Sequence, residues 1–306
     1  MDSKTIVITG ASDGVGADAA RQLHRRGHRV VVVGRSPRKT NAIGDELGVD
    51  RHVVDFCRLA DVRALASDLR GAHPRIDVLA NNAGGIFGDR TKTVDGFDVT
   101  FQVNHLAPFL LTHLLLDTLT TSGASVIQTS SAGARLLGKV VLDDLEHDRD
   151  FTPQRAYGTA KLDNILFTQE LHRRFHGRGI SAAAFHPGTV ASNFASNSGN
   201  FVQRMYGSRV ARLLMTPPAK AAGQLVRLAE GRPGTDWVSG TYYEKGKPAK
   251  RNHPQTRDKD ISRQLWDRSE QLLSLPQEWP EAPGRVPRGS SSAGRPRWRA
   301  RAGRGV

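Results

Sequence analysis

One cysteine, Cys57, is all that the 306 residues contain. That scarcity excludes an internal disulfide and any zinc cluster built from several thiolates. It is compatible with a reducing compartment, and Cys57 itself reads as a small, partly buried side chain. Long hydrophobic runs are missing too. The most apolar stretch, 109–116, is interrupted by Thr112 and His113, well short of the roughly 20 residues that span a bilayer. The polar start Met1-Asp2-Ser3-Lys4 runs straight into an apolar segment, with no secretory signal pattern. The expectation is a cytoplasmic protein without a transmembrane segment. The eleven histidines show no metal-ligand spacing, so no metal site is expected. His105, His113 and His172 read as packing or surface residues. Asp143, Asp144 and Glu146 read as a solvated acidic turn. Internal repeats are absent.

The formal net charge is +14. Residues 281–306 hold seven arginines and one glutamate, so they carry +6 of it and the first 280 residues carry +8. A diffuse excess of this kind suits anionic ligands such as phosphates and differs from a focused nucleic-acid stripe. In the tail, Arg295, Arg297, Arg299, Arg301 and Arg304 flank Trp298, a pattern able to hold phosphate and stack a base. A nonfunctional extension is the simpler reading, and no nucleic-acid partner is expected.

Short apolar runs alternate with helical patterns. Strands are predicted over 5–9, 29–33, 51–55, 76–81, 125–129, 180–186 and 241–244, and helices over 14–26, 37–47, 59–72, 96–119, 154–177, 219–230 and 259–273. Strands this apolar are covered on both faces. The alternation implies an α/β fold, a doubly wound parallel sheet in three α/β/α layers with right-handed crossovers. The pattern loosens over 192–218, with a short helical piece near 202–214. Such a segment beyond the sixth strand could cover a substrate or be a plain surface loop. A single domain is expected over 1–275, followed by an Arg/Gly/Pro/Ser-rich tail over 276–306 that cannot build a core.

Directly after the first strand, Thr9-Gly10-Ala11-Ser12-Asp13-Gly14-Val15-Gly16 opens a helix. Gly10 permits a tight turn, while Gly14 and Gly16 let backbone amides and the helix N-terminus approach a pyrophosphate. The second strand speaks to the nucleotide by an absence. An acid at its end usually holds a ribose 2′-hydroxyl, yet the strand ends Val33-Gly34-Arg35-Ser36. Arg35 can pair with a 2′-phosphate through two charge-assisted bonds, and Ser36 and Arg38 could add donors. That favours NADP(H) over NAD(H). The plain alternative is an arginine opening a solvated helix.

Tyr157 and Lys161 stand four residues apart at the start of a helix, on one face. A free tyrosine titrates near ~10, and a neighbouring ammonium favours its phenolate. The pair is common by chance and gains weight only from what accompanies it. Here the chain resembles the short-chain dehydrogenase/reductase family from Lys4 to about Leu275. The resemblance rests on Thr9-Gly10 with Gly14 and Gly16, Asp55, Asn81-Asn82-Ala83-Gly84, Asn104, Ser130-Ser131, Tyr157 with Lys161, and Pro187-Gly188. It is nearest the retinol-dehydrogenase-like branch, through Asp95-Gly96-Phe97, Phe101 to Leu106, Phe109 to Thr112, Lys161-Leu162 and Leu265-Trp266. The chain departs from many members in lacking an apolar N-terminal anchor and in having Ala160 where a serine commonly precedes the lysine.

The resemblance implies a Rossmann-type fold and assigns roles. Tyr157 would be the general acid–base. Lys161 would lower the tyrosine pKa and hydrogen-bond the nicotinamide ribose. Ser131 would donate to the substrate oxygen, with Ser130 the adjacent alternative. Asn104 would hold a kinked helix and a water for proton relay. Ser12, Asp13 and Val15 belong to the cofactor turn, Asp55 would contact adenine, and Asn82, Ala83 and Gly84 would line the cofactor. Pro187, Gly188 and Thr189 would border the nicotinamide, with Ser192 weaker. The 26 residues from Ser131 to Tyr157 include an insert, 136–154, expected at the substrate rim.

The expected function is interconversion of a carbonyl and an alcohol on a small, lipophilic substrate. Homo-oligomerisation is possible. The alternative is a catalytically silent nucleotide-binding regulator of the same fold, against which the intact Ser131, Tyr157 and Lys161 argue.

Overall fold

The computed structural model describes residues 2–188 and 217–276. Its frame is one eight-stranded sheet in the order β3-β2-β1-β4-β5-β6-β7-β8. The strands are β1 (Thr5–Thr9), β2 (Arg29–Gly34), β3 (Arg51–Val53), β4 (Val78–Asn81), β5 (Ser125–Thr129), β6 (Ser181–His186), β7 (Thr241–Glu244) and β8 (Lys247–Pro248). Every neighbouring pair is parallel except β7 and β8.

The period of two along each strand sorts side chains between two cores. Val7, Val31, Leu79, Val126, Ala182 and Ala184 face one side, while Ile6, Val30, Val32, Val78, Ile127, Ala183 and Phe185 face the other. The first core is closed by α3 (Leu59–Ala72), α5 (Ala107–Leu114), α6 (Leu116–Ser122), α8 (Pro153–Phe175) and α10 (Lys259–Leu272); the second by α1 (Gly14–Arg25), α2 (Pro37–Leu47) and α9 (Pro218–Glu230). Both faces are therefore dry, which is why the strands read as unbroken apolar runs. Trp266 of α10 stacks on Phe167 at 5.5 Å and meets Phe109 edge-on at 4.8 Å, fastening α10 across α8 and α5.

Most predicted elements lie within one or two residues of their places, but three depart. β3 ends at Val53 and β4 begins at Val78, each shorter than its apolar run. The helix predicted over 96–119 is four pieces: α4 (Val99–Phe101), a π-turn Gln102–Leu106, α5 and α6. Its start is set by Asp98, whose carboxylate accepts from the N–H groups of Thr100 and Phe101. Pro108 has no N–H to give Asn104's carbonyl, and Ala107 N–H reaches back five residues to Gln102 instead. The insert is not structureless. α7 (Gly133–Leu136) leads into it, and it is pinned at Lys139 by Thr159 and at Val140 by Gln255.

Glu146 corrects the expectation of a solvated acidic turn. It accepts from Asp98 N–H at 2.5 Å and Lys92 Nζ at 2.6 Å, tying the insert to the start of α4. Long-range partners of this kind leave no mark on local composition. Among the described residues no single helix is long and apolar enough to cross a membrane; the bent pair Val99–Leu114 with Leu116–Ser122 meets length and composition only together. Of the expected loose segment 192–218, residues 192–216 with the helical piece 202–214 lie outside the described residues, as does the expected tail 276–306 from 277 on.

Candidate active site

The glycine turn lies at the C-terminal edge of the sheet, between β1 and α1. Gly10 takes φ +66, a left-handed conformation that costs glycine little. A β-carbon on Gly16 would meet Gly10 O, and Ala11 Cα at 2.9 Å, so the first turn of α1 is pressed against the loop it follows. The N–H groups of Gly14, Val15 and Gly16 are thereby gathered at one helix N-terminus. Asp13 caps that helix, accepting from Gly14 N–H at 2.8 Å, and pairs with Lys39 of α2 at 2.5 Å.

Below the turn, polar groups are closely matched. Thr9 Oγ1 accepts from Asn82 N–H and Ala83 N–H, both at 3.0 Å. Asn82 Nδ2 donates to Thr9 O at 3.0 Å, and its Oδ1 accepts from Thr129 Oγ1 at 3.2 Å. The Asn82 side chain is thus spent on stitching β1, β4 and β5 together, with the half-buried Ala83 and Gly84 following it.

At the end of β2, Arg35 is exposed and Ser36 caps α2, accepting from Lys39 N–H at 3.4 Å. A β-carbon on Gly34 would lie 2.5 Å from Thr40 Oγ1 and 2.6 Å from Ser12 Cβ. An acidic side chain does not fit there without displacing both. Asp55 accepts from Cys57 N–H at 3.0 Å. Burial, then the Asp55 carboxylate, pushes the Cys57 thiol up to about 11, while Arg35 opposes the rise. Arg35 and Asp55 therefore border the same corner.

Across the cleft, three predicted residues converge. A β-carbon on Gly133 would be 3.5 Å from Ser131 Oγ and 3.6 Å from Tyr157 Cε1, so the serine and the phenol flank one glycine. Lys161 Nζ lies 5.6 Å from the Tyr157 ring centroid and donates to Thr129 O at 3.1 Å. The lysine is fully buried, and desolvation pulls its ammonium down to about 7. Ser130 separates from Ser131 here: its buried hydroxyl donates to Lys161 O at 2.7 Å and faces away from the cleft.

Asn104 sits in the π-turn, a device frequent at functional sites. Its Nδ2 donates to Thr100 O at 2.9 Å and Gly85 O at 3.0 Å, and its Oδ1 accepts from Gly85 N–H at 3.1 Å. A β-carbon on Gly84 would meet Asn104 Oδ1 at 2.5 Å and Lys161 Nζ at 2.8 Å, so a bare glycine keeps open the gap between them. Pro187 and Gly188 follow β6 at the same edge, Gly188 with φ +97. Thr189 and Ser192 lie outside the described residues.

Sequence reasoning missed a second wall. Tyr242 Oη donates to Glu244 Oε1 at 3.3 Å, and Glu244 pairs in register with His186 across β6 and β7. Burial, then the Glu244 carboxylate, raises the Tyr242 phenol above its usual range, and Tyr157 adds a smaller contribution. Leu136 and Leu137, 65% and 45% exposed, project at the rim just after Gly133. Asp163, two residues beyond Lys161, is fully buried with both carboxylate oxygens unpartnered among the described residues.

Comparison with known proteins bears on this arrangement. A family model described as short chain dehydrogenase matches residues 4–202. The chain is 34% identical over 287 residues to retinol dehydrogenase 13 of Homo sapiens, covering 90% of this chain and 86% of that protein. It is 37% identical over 276 residues, 88% and 92% of the two chains, to a protein of Streptomyces sp. (strain C5) proposed to be a daunorubicin C-13 ketoreductase. Among solved structures, an uncharacterized protein from Mycobacterium Paratuberculosis superposes with a TM-score of 0.72 at 30% identity, over 90% of this chain and 95% of that one.

Proposed function

Since this chain belongs to the short-chain dehydrogenase/reductase family, in its retinol-dehydrogenase-like branch, we propose that it is an NADP(H)-dependent enzyme that interconverts a lipophilic ketone or aldehyde with its alcohol, using Tyr157 as general acid–base. The observation that carries the reading is the convergence of Ser131 and Tyr157 on Gly133, with Lys161 5.6 Å from the phenol ring.

The cofactor fits the residues present. The helix N-terminus at Gly14–Gly16 offers N–H groups and a positive dipole end to a pyrophosphate. The crowding at position 34 disfavours a ribose-binding acid, and Arg35 beside it suits a 2′-phosphate. Gly84, with Asn104 and Lys161 on either side, leaves room where a side chain would block the cradle. A bound nicotinamide supplies or accepts the hydride. In the reducing direction the Tyr157 hydroxyl gives its proton to the carbonyl oxygen as negative charge builds there, and Ser131 Oγ donates a hydrogen bond to the same oxygen. Lys161, held by Thr129 O in a dry site, stabilises the phenolate left behind. Asn104 keeps the π-turn open beside Lys161, and reprotonation follows from the solvent side. Leu136 and Leu137 offer an apolar rim to a lipophilic substrate. The same reading treats residues 1–275 as the catalytic domain and 276–306 as an appendage.

The test is NADPH oxidation against a panel of aldehydes and ketones. Tyr157→Phe keeps the ring and loses the proton, and should lower kcat by about 10²–10⁴ with the folded state intact by circular dichroism. A variant as fast as wild type, or a wild type that turns over no carbonyl, overturns the reading.

A further inference from the structure

The far end of α8 holds a second constellation that the proposed reaction does not use. Between α8, the segment entering β7, the 3₁₀ turn Pro254–Arg257 and the start of α10 lies a cavity of about 780 Å³. From His172, Lys161 is 11 residues back, roughly 16 Å at the helical rise. The cavity is therefore separate from the cleft, although α8 and β7 serve both.

Its lining is cationic. His172 and His176 place their ring centroids 4.6 Å apart, with Arg257 and Lys259 across from them. Neither Arg257 nor Lys259 makes an ion pair among the described residues, and both are exposed. The one lining carboxylate, Glu170, is already neutralised: Arg173 Nε donates to it at 2.7 Å and Arg174 Nε at 2.6 Å. Gln169 also lines the cavity, and its Oε1 is buried without a partner among the described residues.

The imidazoles are oriented. Ser239 Oγ accepts from Ala182 N–H at 2.9 Å and lies 2.9 Å from His172 Nδ1. Its own proton is then directed to Nδ1, which assigns the hydrogen of His172 to Nε2. His176 Nδ1 lies 3.4 Å from Ile180 O, which assigns its hydrogen to Nδ1. Burial and the neighbouring His176 both lower the His172 pKa, so its protonation waits for a counter-charge. Facing the pair are Glu170 and Arg173 from α8, Arg257 from the 3₁₀ turn and Lys259 from α10. An anion seated there would let the His172 ring protonate.

We propose that this cavity is a binding site for a small phosphorylated anion, held by Arg257 and Lys259 and completed by protonation of His172. Two free cations and a protonatable ring suit a diphosphate, and the cavity exceeds what a single phosphate fills.

Calorimetric titration of the full chain with pyrophosphate tests it, at about pH 6 and about pH 8, either side of the usual imidazole pKa. Wild type should bind about tenfold more tightly at the lower pH. Arg257→Gln combined with Lys259→Gln should weaken binding about tenfold or more, equivalent to ~1.4 kcal/mol. His172→Gln should remove most of the pH dependence. Arg25→Gln with Lys250→Gln, a charge-matched control on exposed residues elsewhere, should change nothing. The glycine turn is intact in every variant, so binding there persists throughout and only the differences report the cavity. Equal losses in both double variants would mean diffuse attraction to a basic protein and would overturn the site. So would unchanged affinity in the Arg257/Lys259 variant, or a pH dependence that survives in His172→Gln.

Discussion

On the β1–β4 side of the cleft, the side chains of Thr9 and Asn82 are paired off, although Asn81 Oδ1 in β4 has no partner among the described residues. Thr9 Oγ1 receives two N–H groups, and the Asn82 side chain ties three strands together. On the β5–β6 side, Lys161 is buried with one hydrogen bond to Thr129 O, and Asp163, two residues further along α8, is buried with none among the described residues. His186 Nδ1 and both polar ends of Gln128 are likewise unpartnered there. The first side is a cradle stitched together by these bonds. The second keeps charge in a dry place, where its protonation responds to whatever approaches. Perturbed, desolvated groups of this kind gather where proton chemistry is done.

The contrast can be broken at each end. The largest effect is expected in the cradle. Gly16→Ala puts a methyl against the backbone at Gly10 O and Ala11 Cα, which cannot swing aside. Overpacking of this kind costs about 1–3 kcal/mol, and urea unfolding should show it together with weakened cofactor binding. A wild-type midpoint would mean the turn is looser than its contacts. At the cradle's outer corner, Arg35→Ala should narrow the preference for NADPH over NADH about tenfold, the scale of one charge-assisted hydrogen bond. Equal affinities for the two in wild type would remove Arg35 from the discrimination.

The subtlest change is expected at Asp163. Burial raises its carboxyl well above the usual value, so the folded chain keeps the proton that the unfolded chain releases near pH 4. Stability from this group is complete below that pH and is lost as the pH rises towards the folded pKa. Asp163→Asn should therefore be more stable than wild type at neutral pH, by a margin that shrinks on acidification. A margin independent of pH would show that Asp163 is not held protonated.

Much of this was legible in the chain. Strand and helix order followed from apolar periodicity because both sheet faces are buried, and the glycine turn, Ser131, Tyr157 and Lys161 stood at recognisable element ends. What escaped had no local signature. The break at 102–106 depends on Asn104 reaching Thr100 O and Gly85, and Glu146 looked solvated until its partners at Lys92 and Asp98 were in place. The choice between Ser130 and Ser131 could not be made from spacing, since adjacent residues point to opposite sides and only packing against α8 says which side is the cleft.

By itself the sequence determined the α/β alternation, the glycine turn that opens α1, the missing acid at Gly34 and the four-residue step from Tyr157 to Lys161. Each of these is a matter of neighbours along the chain, where backbone geometry converts spacing directly into direction. The tertiary structure alone decided which serine shares the cleft with Tyr157, how far Lys161 is stripped of water, that Tyr242 meets Glu244 beside β6, and that His172 and His176 meet Arg257 and Lys259. Those outcomes depend on burial and on contacts between segments distant in sequence, and desolvation is a property of the packed surroundings that no residue carries on its own.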